Sequence, residues 1–73
     1  MGLGLVHLDI DYYMTSANDI VLRKNGEPEE KQLPAGIYVI TFDNKVIFAR
    51  RFAGRFMPVS AKEQEELCQQ FRL

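Results

Sequence analysis

The sequence predicts an α+β fold, a small antiparallel sheet of about four strands with one C-terminal helix, and three observations predict it. β-branched and aromatic runs fill 37–52 on either side of the polar break Asp43-Asn44-Lys45. Asn25-Gly26, the strongest two-residue hairpin signal, closes an apolar run at 19–24. Ser60 and Glu63 form the signature of a capping box ahead of a narrow apolar stripe. The sheet is expected either to stay open or to curl into a barrel-like form. One compact domain over 1–73 is expected.

The run from Leu3 to Met14 alternates, with Val6, Leu8, Ile10 and Tyr12 on one face and Leu5, His7, Asp9, Asp11 and Tyr13 on the other. A half-buried strand reads this way. Gly2 and Gly4 make a loose start to it, and Thr15-Ser16-Ala17-Asn18 forms the connecting turn. Asp19 to Lys24 is the next strand. Its partner side contains Pro28, which cannot donate to a ladder, so the return up to Gln32 is an edge strand or an extended acidic loop. Leu33-Pro34-Ala35-Gly36 turns into the 37–52 hairpin, where Asp43 and Asn44 tolerate the positive φ of a tight loop. Pro58 ends the extended chain, and Ala61, Leu67, Cys68 and Phe71 give the helix one apolar stripe.

At 73 residues, the chain buries only about 60% of the surface its unfolded form exposes, so its stability is small. Chains of this size usually need a staple. Cys68 is the single cysteine, which rules out an internal disulfide, and no Cys/His cluster offers zinc a closed site. The hydrophobic fraction of 47% and charged fraction of 26% are those of an ordinary globular protein. No apolar run is long enough to span a bilayer, no secretory signal is visible, and Val6 stands where a myristoylation motif needs Ser or Thr. A cytoplasmic location and no membrane partner are expected.

Charge is unevenly spread along the chain. Residues 1–30 and 63–73 are acidic, whereas 31–62 hold Lys31, Lys45, Arg50, Arg51, Arg55 and Lys62 against Asp43 alone. A basic middle between acidic flanks suits a charged partner or neighbouring segments that neutralise one another.

Asp9 and Asp11, two apart on a strand, could share a hard cation and are the weak candidates for a metal site. The stretch Val6-His7-Leu8-Asp9-Ile10-Asp11-Tyr12-Tyr13-Met14 also resembles the first carboxylate motif of the translesion (Y-family) DNA polymerases, a strand of the form hHxDhDxFY. That resemblance implies a metal-ligand role for Asp9 and a place near an incoming nucleotide for Tyr12 and Tyr13. Such polymerases also carry a later acidic pair on the palm, with thumb and fingers, and this chain contains none of these. A solvated polar strand face is the plainer account, with His7 paired to a carboxylate beside it. Walker, GxGxxG, HExxH and GxSxG motifs are absent. Neither catalytic residues nor a cofactor are expected.

Three arginines interleave with three aromatics in Phe48-Ala49-Arg50-Arg51-Phe52-Ala53-Gly54-Arg55-Phe56. Exposed aromatics beside arginine are used by protein hot spots and by single-strand nucleic-acid grooves. Arg50, Arg51, Phe52, Arg55 and Phe56 are the candidate binding residues, and the slightly acidic chain favours a protein partner over nucleic acid. The hairpin is apolar on both faces, with Ile37, Val39, Val46 and Phe48 on one and Tyr38, Ile40, Phe42, Ile47 and Ala49 on the other. One helix covers only one of them. A folded-over strand or a second copy must cover the other, which makes Val39 and Phe48 candidate contacts of a homodimer. The expected role is a small non-enzymatic binding protein, a regulator, adaptor or inhibitor, of a size that suits a bacterial or phage accessory protein. Its rival is a nucleic-acid-binding module built on 48–57.

Overall fold

The computed structural model describes residues 5–29 and 32–71. The expected strand start at Leu3 with its two glycines, and the return segment at Glu30 and Lys31, lie outside these residues. Along the described chain the elements are β1 (Val6–Asp9), β2 (Asp11–Met14), β3 (Ile20–Lys24), β4 (Glu27–Pro28), β5 (Gly36–Phe42), β6 (Lys45–Phe52), β7 (Arg55–Pro58) and α1 (Ala61–Phe71). The α+β class is as predicted, but the strands number seven and form two sheets, ordered β1-β5-β6-β7 and β2-β3-β4. Neither sheet closes into a barrel.

The stretch expected to be a single strand divides at Ile10. Val6 to Asp9 pair in parallel with Tyr38 to Thr41, and Asp11 to Met14 pair antiparallel with Ile20 to Arg23. The predicted alternation holds from Leu8 onward, where Leu8, Ile10 and Tyr12 all pack into the space between the sheets, while Val6, expected on the same face, stays 45% exposed. A chain that turns a corner from one sheet to the other keeps the same side chains inward. The parallel β1–β5 pair was not expected of an antiparallel sheet. Parallel strands need a crossover connection of about a dozen residues or more, and here the three-stranded sheet is that connection.

Three hairpins close with two residues in the left-handed region: Asn25-Gly26, Asp43-Asn44 and Ala53-Gly54. Such a turn matches the twist of the flanking strands. The sequence signals the first two. Ala53, at φ 54°, is a poor residue for this conformation, so β7 was hidden in what reads as a basic-aromatic segment. Ala53→Asn should therefore raise the unfolding free energy by about 0.5–1 kcal/mol, measured by urea denaturation.

The two faces of the larger sheet have separate covers. Tyr38, Ile40, Ala49 and Phe56 meet Ile20 and Leu22 of the smaller sheet, with Tyr38 and Phe56 edge to face at 5.6 Å between ring centroids. On the reverse face Val39 and Phe48 pack against Leu67 of α1, with Leu5, Ile37, Val59 and Cys68 around them. The predicted apolar faces of the hairpin are thus correct, and the chain covers both. Val39 and Phe48, expected at a subunit interface, are 3% and 0% exposed beneath the helix.

Candidate binding surface

Asp9 and Asp11 fall on different sheets, so the shared strand face that would let them hold one cation does not form. Asp9 is exposed at the end of β1. Asp11 lies opposite Arg23 and accepts its Nε–H at 2.9 Å and the Tyr12 N–H at 2.7 Å, while Arg23 also lies 5.3 Å from the Tyr13 ring centroid. His7 meets the Thr41 hydroxyl at 2.6 Å rather than a carboxylate. Among the described residues no three His, Cys, Asp or Glu side chains gather as a metal site would require.

The Arg23 hydrogen bond holds the Asp11 carboxyl below the usual carboxylate range; desolvation opposes the shift and the Tyr12 N–H adds to it. A depressed folded pKa contributes stability that is present above the unfolded value and is lost as pH falls through the folded one. Asp11→Asn should therefore flatten the acid side of a melting-temperature profile and leave its shape at neutral pH unchanged.

The five candidate binding residues do not form one surface. In the β6–β7 register Phe52 lies opposite Arg55 and Arg51 opposite Phe56, so alternation sends Phe52 and Arg50 to the helix side and Arg51 and Phe56 to the side of the smaller sheet. Phe56 is 5% exposed and belongs to the core. Arg51 lines a cleft of about 240 Å³ with Ile20, Leu22, Leu33 and Phe56. Phe52 stands 70% exposed beside the β6–β7 turn.

Both arginines near Phe52 are held from below. Arg50 makes a two-pronged pair with Glu63 in the first turn of α1. That use of Glu63 leaves only half of the expected capping box, the Glu63 N–H donating to Ser60 Oγ at 3.1 Å. Arg55 donates to Asp19 Oδ1 at 3.0 Å and to the Ala17 carbonyl at 3.1 Å. The loop presenting those acceptors is organised by Thr15, whose hydroxyl accepts from the N–H groups of Ala17 and Asp19, and it turns through Asn18 at φ 65°. A predicted turn thus positions a side chain at the tip of an unpredicted hairpin.

Gln64 does work that sequence reasoning missed. β7 ends at Pro58, so the Val46–Phe48 part of β6 extends past its neighbour. Gln64 Oε1 accepts the Phe48 N–H at 2.8 Å, and Gln64 Nε2 donates to the Val46 carbonyl at 3.1 Å. One side-chain amide thereby replaces a missing strand residue and blunts the edge. A polar residue inside the helix's apolar stripe was the available signal.

No helix among the described residues is long and apolar enough to cross a membrane. No family model, curated protein or solved structure matches this chain.

Proposed function

We propose that this is a small non-enzymatic binding protein, a regulator, adaptor or inhibitor that engages a protein partner through the tip of the β6–β7 hairpin. The exposure of Phe52 between two anchored arginines carries the reading. An aromatic left in water has an unfavourable contact with solvent that a partner pocket would relieve. Arginines already fixed by Glu63 and Asp19 lose little rotamer freedom on association. A cytoplasmic setting fits a chain whose only cysteine is a half-buried free thiol.

The rival, a nucleic-acid module on 48–57, is less well supported. Two of its three arginines have carboxylate partners, and Phe48 and Phe56 are core residues, so there is no row of aromatics for bases to stack on. The deciding experiment is affinity capture from the native host with wild type and Phe52→Ala side by side, followed by binding measurements on the captured species. Phe52→Ala should weaken a protein partner's binding by about 2 kcal/mol while leaving the melting temperature unchanged. A nucleic-acid partner, with affinity falling steeply as salt rises, would favour the rival. A partner held equally by both proteins would overturn the hairpin tip as the binding surface.

A further inference from the structure

The edges of the two sheets are not equally protected. β7 ends in Pro58 and β4 in Pro28, and Gln64 covers the extension of β6. β1 and β2 are the remaining edges, and neither carries a proline, a lysine or a bulge. In β2 the one charge, Asp11, is already paired with Arg23, and no basic residue stands ready for a second copy's carboxylate. β1 closes the larger sheet on one side, pairs among the described residues only with β5, and holds both an imidazole and a carboxylate. An edge of this kind presents unpaired backbone groups to another strand.

We infer that β1 is a self-pairing edge, joining antiparallel to the β1 of a second copy about a two-fold axis at Leu8. The residue pattern selects both partner and register. With Leu8 opposite Leu8, each His7 stands opposite the Asp9 of the other copy. His7 and Asp9 lie on the helix side, in register with Val39 and Thr41, so an imidazole and a carboxylate meet there twice. On the reverse side Leu8 meets the Leu8 of the other copy at the axis. Opposite-charge and apolar cross-strand pairs both stabilise a ladder. The same strand paired on itself in any other antiparallel register loses both His7–Asp9 matches. The two larger sheets would then run together as one across the two-fold axis, an isologous contact that buries the same strand from each copy.

Sedimentation equilibrium on the full chain should show a monomer–dimer equilibrium in the micromolar range. Asp9→Lys should weaken it about tenfold, because both imidazole–carboxylate cross-strand pairs are lost together, and His7→Glu with Asp9→Lys, which puts Glu opposite Lys twice, should restore it. In a Cys68→Ser background, Leu8→Cys should form an intermolecular disulfide on mild oxidation, since residues directly opposite are about 4.5–5.5 Å apart at Cα. Val6→Cys should not, because its two copies stand four residues, or about 13 Å, apart along the ladder. Phe52→Ala should leave the dimer intact, which separates this edge from the hairpin tip. A monomer at every concentration, a dimer indifferent to Asp9→Lys, or equal cross-linking at positions 6 and 8 would overturn the inference.

Discussion

Phe48→Ala should lower the unfolding free energy by about 3–5 kcal/mol, the range for deleting a fully buried aromatic side chain. Phe48 is 0% exposed and is the largest side chain between the larger sheet and α1, with Val39 and Leu67 on it and Phe71 stacked at 6.3 Å between ring centroids. At about 0.05–0.15 kcal/mol per residue, a chain of 73 residues has roughly 4–11 kcal/mol in all. The substitution should therefore remove from about a quarter to all of that stability. Urea denaturation followed by circular dichroism measures it. The midpoint should fall equally at low and high protein concentration, because the lost contacts are within one chain; a loss that grew on dilution would instead place Phe48 at a subunit contact. Phe52→Ala, four residues along the same strand face, should change the midpoint little.

Gln64→Leu should cost about 1–3 kcal/mol although it keeps the size and apolar stem of the side chain. Leucine leaves the half-buried Phe48 N–H without its acceptor and the solvent-side Val46 carbonyl without its donor, so most of the cost comes from the Phe48 N–H. Gln64→Glu separates the two bonds. The carboxylate can still accept from Phe48 but cannot donate to Val46, so its loss should be smaller. Amide hydrogen exchange gives the local readout: the Phe48 N–H should lose protection in Gln64→Leu and retain most of it in Gln64→Glu, while the amides paired between β5 and β6 stay protected in both. Unchanged protection at Phe48 in Gln64→Leu would show that another group satisfies that edge.

The sequence contains the hydrophobic period of nearly every element. Ile37 to Phe42 and Val46 to Phe52 show both faces of the central hairpin and place its turn, whose two-residue length the Phe42–Lys45 pairing decides, and Asn25-Gly26 marks the second hairpin. Ser60 marks the helix start. Local signals of this kind survive folding because backbone sterics and alternation act over a few residues. Ala53-Gly54 escaped for the same reason. Tertiary pairing between β6 and β7 holds an alanine where its own preference lies elsewhere, and local propensity cannot report a cost that long-range contacts outweigh.

Of the candidate surface, the composition was legible and the arrangement was not. Arginines and aromatics at 48–57 were visible as residues, but only strand register decides that Phe52 faces water while Phe56 fills the core. Only the docking of α1 and the 15–19 loop brings Glu63 to Arg50 and Asp19 to Arg55, across 13 and 36 positions of sequence. The stretch 6–14 makes the same distinction most clearly. Its alternation fixes which side chains turn inward and is satisfied equally by one long strand or by two that meet at a corner. Choosing between them depends on where the chain finds partners for its backbone hydrogen bonds. β5 supplies them for Val6–Asp9 and β3 for Asp11–Met14, so the two carboxylates part company at Ile10. Residue pattern alone therefore determined most of the alternating faces, two of the three hairpin turns and the helix start. The tertiary structure decided which strands pair, because a ladder is completed by residues far away in the chain whose identity the local pattern does not contain.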